Sequence, residues 1–247
     1  MTGVRQLEFK PWVKQYPDAG EGNPTLVFPH AGGAALAYRA LGTALAQAGS
    51  TAYVMQYPQR GDRLAHPAPS TVGDLAQDLF DAGDWAGLGS VRLFGHCMGA
   101  VVAFEFARVA ARHGVEVSAL WVSASEAPST VAASPDLPMA QHEIIAEMVE
   151  LGGTDPQLLD DDDFLELLLK AVRADYAAFN RYACDANATI TADVHTLGGE
   201  RDHRVSADML RRWELHTTGA FTLSMFDGGH FYVNDHIADV AELVNEL

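Results

Sequence analysis

With 247 residues, 48% hydrophobic and 20% charged, the chain is long enough for one α/β domain with a sizeable core and needs no metal or disulfide to hold it. A formal net charge of −17 excludes a nucleic-acid binder, because phosphate recognition requires a basic face. The sequence holds no apolar run of about 18 residues that could span a membrane, and its N-terminal segment lacks the apolar core of a secretory signal, so a cytoplasmic location and no membrane partner are expected.

Short apolar runs alternate with helical periodicity along most of the chain. Residues 25–28 read as a buried strand, followed by a Gly-Gly turn and a helical stretch over 36–47. A second strand is predicted over 51–57, a helix over 72–82, a third strand over 91–94 and its helix over 100–112. Strands over 119–123, 190–197 and 221–226 and a closing helix over 237–247 complete the pattern. Strands alternating with helices imply βαβ units and a mainly parallel sheet. One region breaks the alternation: residues 125–189 carry helical periodicity over 137–152 and 164–182 with no strand between. It reads as a helical lid inserted over the carboxyl ends of the strands, within a single domain spanning 1–247; the alternative is a helical subdomain with no part in substrate choice. The acidic run Asp160-Asp161-Asp162-Asp163 reads as a helix N-terminus, where carboxylates complement the helix dipole.

Three motifs carry chemistry. Gly95-His96-Cys97-Met98-Gly99 lies between a strand and a small-residue helix, the context of a nucleophile elbow with Cys97 at its tip. Pro29-His30-Ala31-Gly32-Gly33 follows the first strand and can present a backbone N–H beside the nucleophile, so Ala31 and Met98 are the expected oxyanion donors. Gly228-Gly229-His230-Phe231 follows the last strand and supplies His230 as the base, with its acid expected in Gly198-Gly199-Glu200-Arg201-Asp202. Asp202 is preferred, with Glu200 in reserve; His30 is read as structural, His203 as exposed or lid-facing, and the remaining histidines as surface or packing residues. The order nucleophile, acid, histidine is that of the α/β-hydrolase fold. Cys97 and Cys184 lack the spacing of a zinc or disulfide framework, and no cofactor or metal is expected.

These motifs, together with Gln56-Tyr57-Pro58-Gln59-Arg60-Gly61-Asp62-Arg63 and Arg173-Ala174-Asp175-Tyr176, resemble the type II thioesterases that accompany polyketide synthases and nonribosomal peptide synthetases. The resemblance runs from about Thr25 to the C-terminus in family order. It implies action on acyl groups held as phosphopantetheine thioesters on a carrier protein, with the arm belonging to the substrate. An acidic partner would have to dock on a local basic patch; Arg39, Arg60 and Arg63 are candidates, with solvated surface or internal ion pairs as the alternative. The departure is Cys97, where the family has Ser. A thioester exchanged for a thioester is nearly balanced, so the acyl-enzyme stays activated towards amines, thiols or alcohols. Two explanations stand open: a natural variant tuned for acyl transfer, or an engineered replacement that traps an intermediate. The expected activity is thioester hydrolysis through Cys97, His230 and Asp202 by a monomer. An acyltransferase or cyclase of the same fold is the alternative, with an oxoester hydrolase and a silent carrier-binding subunit as further rivals.

Overall fold

Along the central strands the side chains alternate between two buried faces. Leu26 and Phe28 point into one core while Val27 points into the other, and likewise Leu93 opposes Phe94 and Trp121 opposes Leu120 and Val122. Strands buried on both sides read as continuous apolar runs, which is why these were visible in the sequence. The computed structural model describes residues 7–17, 22–154 and 156–246; residues 1–6 of the N-terminal segment and Leu247 of the predicted last helix lie outside the described residues.

The strands are Val13–Tyr16 (β1), Gly22–Phe28 (β2), Ser50–Met55 (β3), Val91–His96 (β4), Val117–Ser123 (β5), Asp193–Gly199 (β6) and Phe221–Phe226 (β7). They form one sheet in the order β1-β3-β2-β4-β5-β6-β7, with β1 antiparallel to β3 and all other pairs parallel. The helices are Arg39–Gln47 (α1), Val72–Phe80 (α2), Met98–Arg112 (α3), Gln141–Leu151 (α4), Pro156–Leu159 (α5), Asp162–Phe179 (α6), Ala207–Arg211 (α7) and Ile237–Glu246 (α8). α2 and α3 pack together over the first face of the sheet, and α1 and α8 over the second. This is the α/β-hydrolase architecture. Because the chain runs from β2 outward to β3 and then returns to β4, the strand order reverses between β2 and β4. A crevice opens there at the carboxyl ends of the strands, the place where ligands bind in open α/β sheets.

Several boundaries differ from the periodicity. The predicted helix over 36–47 is a 3-10 turn, Ala35–Tyr38, followed by α1. The strand predicted over 190–197 starts at Asp193, and Ile190 makes only an isolated bridge to Thr217. β1 has no counterpart among the predicted strands because four residues, Val-Lys-Gln-Tyr, with a single buried side chain carry too little apolar signal. Between β5 and β6 lie α4, α5 and α6. α4 begins at Gln141 rather than 137, past Pro138, whose ring disfavours helical backbone just before it. It ends at Gly152 in the left-handed region, at φ 76°. The acidic run does start a helix: Asp161 caps α6 by accepting from the Phe164 N–H. Ile144 and Met148 of α4 meet Leu169, Val172 and Tyr176 of α6 in a third, smaller apolar cluster. Among the described residues no helix is long and apolar enough to cross a membrane.

Candidate active site

Between the last residue of β4 and the first of α3 stands a single residue, Cys97, with φ 55° and ψ −128°. Backbone in that region costs a non-glycine residue on the order of 1–3 kcal/mol, so the surroundings must enforce it. They do so by close approach. A Cβ on Gly95 would stand 2.4 Å from the Ala100 Cα, and one on Gly99 would stand 2.1 Å from the Phe28 carbonyl oxygen. Only glycines let α3 fold back so tightly onto β4 and β2. The Cys97 N–H donates to the Ser123 carbonyl at 2.8 Å, tying the elbow to β5. Cys97 is half-buried, and its side chain lines a pocket shared with Ala31, Met98 and His230.

The histidine and the acid come from neighbouring loops that touch backbone to backbone. A Cβ on Gly199 would meet the Gly229 carbonyl at 2.2 Å, and the Arg201 N–H donates to the Gly228 carbonyl at 2.8 Å. That approach brings His230 Nδ1 within 2.9 Å of Asp202 Oδ2. The other carboxylate oxygen of Asp202 accepts the N–H groups of Arg204 at 2.8 Å and Val205 at 3.1 Å. Its acceptor positions are thus filled by fixed donors, which holds the carboxylate's orientation. His230 Nε2 is buried and makes no hydrogen bond of ordinary geometry; the Cys97 thiol beside it is its electrostatic partner.

Burial would push the Cys97 thiol up, but the His230 charge, the His230 contact, the Arg204 guanidinium and the Met98 N–H outweigh it and hold the thiol below its ordinary value. Burial likewise opposes the charged form of His230, yet Cys97 and Asp202 together raise it to about 9. A lowered thiol next to a raised imidazole shifts the pair towards thiolate–imidazolium, the form in which sulfur is a nucleophile.

The turn after β2 is pinned by its backbone N–H groups. Gly33 N–H closes on the His30 carbonyl at 2.9 Å, Gly32 N–H donates to Asp175 Oδ2 at 2.8 Å, and Ala35 N–H donates to Gln56 Oε1 at 3.0 Å. Met98 begins α3, where helical N–H groups have no intrahelical acceptor. Ala31 and Met98 line the same pocket as Cys97. α4 and α6 add apolar lining that includes Met148, Leu168, Val172 and Tyr176, a cluster against which Ala31 packs, and Glu126 and Arg204 add polar lining. Arg204 also pairs with Glu147, linking the acid loop to α4.

Several other sequence candidates separate from this cluster. Glu200 and His203 are exposed. Tyr38 Oη receives the His30 N–H at 3.1 Å and stands 2.7 Å from its Nδ1, and burial with the nearby His230 and Arg60 charges lowers His30 to about 3, so its ring stays neutral. Of the two readings of the arginines, internal ion pairs hold for Arg60 and Arg63, which are buried against Asp175 and Asp78, while Arg39 is the exposed member of the three. Arg204 and the Arg60–Asp175 pair have no role assigned from sequence; partners 115 residues apart leave no local trace. His96, read with the remaining histidines as a surface or packing residue, is a packing one. It is fully buried beneath the elbow, 2.9 Å from Ser123 Oγ, with its ring packed on His230 and Phe231. Among the described residues no group of three or more His, Cys, Asp or Glu side chains could hold a metal ion, and both cysteines are free.

The family model described as Thioesterase domain matches residues 24–247, across the whole of this arrangement. The chain belongs to the thioesterase domain family. This thioesterase is 56% identical over 240 residues to the phenyloxazoline synthase MbtB of Mycobacterium tuberculosis, a match covering 97% of the chain and 17% of MbtB. The chain thus spans only 17% of the length of that relative. It is 36% identical over 241 residues to the thioesterase PikA5 of Streptomyces venezuelae, covering 95% of this thioesterase and 84% of PikA5. Among solved structures, the type II thioesterase BorB from the borrelidin biosynthetic cluster matches with a TM-score of 0.79 at 36% identity, covering 95% of this chain and 96% of that one. The family is one of hydrolases acting on thioesters.

Proposed function

We propose that this thioesterase releases acyl groups from the phosphopantetheine arm of a carrier protein in polyketide or nonribosomal peptide biosynthesis, through an acyl-enzyme on Cys97. The observation that carries the reading is the Cys97 thiol at a strained elbow, held low by His230, on the wall of a largely apolar pocket. The similarity to PikA5, to BorB and to a segment of a phenyloxazoline synthase supports the biosynthetic setting.

In the first half-reaction the Cys97 thiolate attacks the acyl carbonyl carbon, and the Ala31 and Met98 N–H groups receive the oxyanion. The carbon–sulfur bond to pantetheine breaks, and the His230 Nε2 proton passes to the departing thiolate. In the second half, His230 takes a proton from water, the hydroxide attacks the acyl-Cys97 carbonyl, and free acid leaves as the thiolate is restored. Asp202 keeps the imidazole oriented and stabilises its charge throughout. α4, α5 and α6 act as the lid that encloses the acyl chain. The chemistry of the same intermediate allows a second outcome: a thioester on Cys97 remains activated, so an amine, alcohol or thiol admitted to the pocket competes with water.

Parallel assays of an acyl-pantetheine thioester and the matching ethyl oxoester test the reading. The thioester is expected to give the higher kcat/KM by at least about tenfold, with turnover abolished by Cys97→Ala. Preference for the oxoester, or turnover that survives Cys97→Ala, contradicts it.

A further inference from the structure

We propose that Arg60 and Asp175 are positioning residues that hold the turn carrying the Ala31 donor in its working shape, and make that shape depend on α6 being seated over the site, an inference resting on the Cys97 reading above.

Asp175 lies on the buried face of α6, and its carboxylate is the meeting point of two parts of the chain remote in sequence. Arg60 grips it through two nitrogens, at 2.6 Å and 2.7 Å, and the Gly32 N–H donates to it at 2.8 Å. Both charged side chains are only 6% exposed. Arg60 is itself fixed: its Nε donates to the Pro58 carbonyl at 3.0 Å, and its guanidinium lies 5.4 Å from the centre of the Tyr57 ring.

A buried ion pair is a poor device for stability alone, since desolvating two charges costs about what their attraction returns and apolar residues of equal volume often serve better. What this pair supplies is direction. With the N–H groups of Gly32, Gly33 and Ala35 tied to Asp175, His30 and Gln56, the peptide planes on the far side of Ala31 are fixed, and the Ala31 N–H is left for the pocket. Gly32 sits at φ 77°, in the left-handed region, and a Cβ there would stand 2.4 Å from Val172 Cγ2. Val172, like Asp175, belongs to α6. The helix therefore touches the turn twice, once by hydrogen bond and once by packing. With α6 away from the turn, Gly32 would have no acceptor and Arg60 no partner. The oxyanion site is then complete only with α6 seated over it.

The test compares two double variants, Arg60→Met/Asp175→Asn and Arg60→Met/Asp175→Leu. Both remove the buried charges and roughly keep the volume; only Asn leaves an acceptor for the Gly32 N–H. Acylation is followed as the pre-steady-state release of thiol from an acyl-pantetheine thioester. Alkylation of Cys97 by iodoacetamide, which displaces iodide without forming an oxyanion, reports the nucleophile alone. The Leu variant should acylate on the order of 10²-fold more slowly than the Asn variant, the usual effect of a lost oxyanion donor, while the two alkylation rates agree. Equal acylation rates, or alkylation that falls in step with acylation, overturn the proposal. Should the Leu chain not fold, Asp175→Ala in the same Arg60→Met background decides by the same comparison. Failure of the Cys97 reading has a different signature: thiol release that persists in Cys97→Ala.

Discussion

His230 Nδ1 stands 2.9 Å from Asp202 Oδ2, and the two side chains are 2% and 0% exposed. A carboxylate closed to water and bonded to an imidazole selects one tautomer, leaving Nε2 to face Cys97. Asp202→Asn keeps an acceptor for the Arg204 and Val205 N–H groups but offers the imidazole a neutral partner able to hold the wrong tautomer. Thioester turnover is expected to drop by roughly 10³–10⁴ with little change in Tm. Steady-state kinetics beside a melting curve check it.

The lowered thiol and the raised imidazole make opposite limbs of a pH profile. Iodoacetamide alkylation of Cys97 needs only the thiolate, so it should persist below the ordinary thiol range. His230→Gln removes the favourable charge and leaves burial unopposed, which moves that profile upward and slows alkylation at pH 7 by at least about tenfold. Acyl transfer also needs the imidazolium as acid for the departing thiol. Its rate should therefore fall as pH rises through about 9, where His230 loses its proton, while alkylation does not fall there. Coincident profiles for the two reactions would count against the assigned roles.

Gly99 is required by approach to β2 rather than by an unusual φ. An added methyl would stand 2.1 Å from the Phe28 oxygen and 2.5 Å from the Pro29 oxygen, both backbone atoms with little room to move. Gly99→Ala should cost about 1–3 kcal/mol, as overpacking of a tight interior does, a Tm loss of roughly 2–12 °C in a domain of this size. It should also slow acylation, since Phe28 leads directly into the turn that carries Ala31. Differential scanning calorimetry and the thiol-release assay measure the two effects.

Cys97→Ser changes the energetics of the intermediate rather than its geometry. The oxoester formed on the introduced hydroxyl lies well below the substrate thioester, whereas acyl-Cys97 lies level with it. Added free pantetheine should therefore discharge acyl-Cys97 back to the acyl-pantetheine thioester, and discharge the ester of Cys97→Ser at least about tenfold more slowly. Isotope exchange between labelled pantetheine and substrate reads the difference.

The candidate site divides into what a sequence can and cannot display. The elbow is legible because strand, turn and helix are contiguous, and its two glycines announce the close approach that Gly95 and Gly99 make. Asp202 is legible as one of two nearby carboxylates, and its burial distinguishes it from the exposed Glu200. The Arg60–Asp175 contact is not legible, because nothing local in Tyr57-Pro58-Gln59-Arg60 points to a residue on α6. For Arg60 and Arg63 the sequence leaves a docking patch, solvated surface and internal ion pairs open, and packing decides for internal pairs. In the fold, the doubly buried strands declare themselves by continuous apolar runs, while β1 at the sheet edge has too little to bury.

The most direct measurement is the intact mass of the protein with time after mixing with an acyl-pantetheine thioester, alongside the free acid released. An acyl adduct is expected to form on Cys97 before free acid accumulates, to disappear as substrate is consumed, and to be absent in Cys97→Ala. Free acid produced at an undiminished rate by Cys97→Ala, or an adduct mapped to any other residue, would contradict catalysis through Cys97.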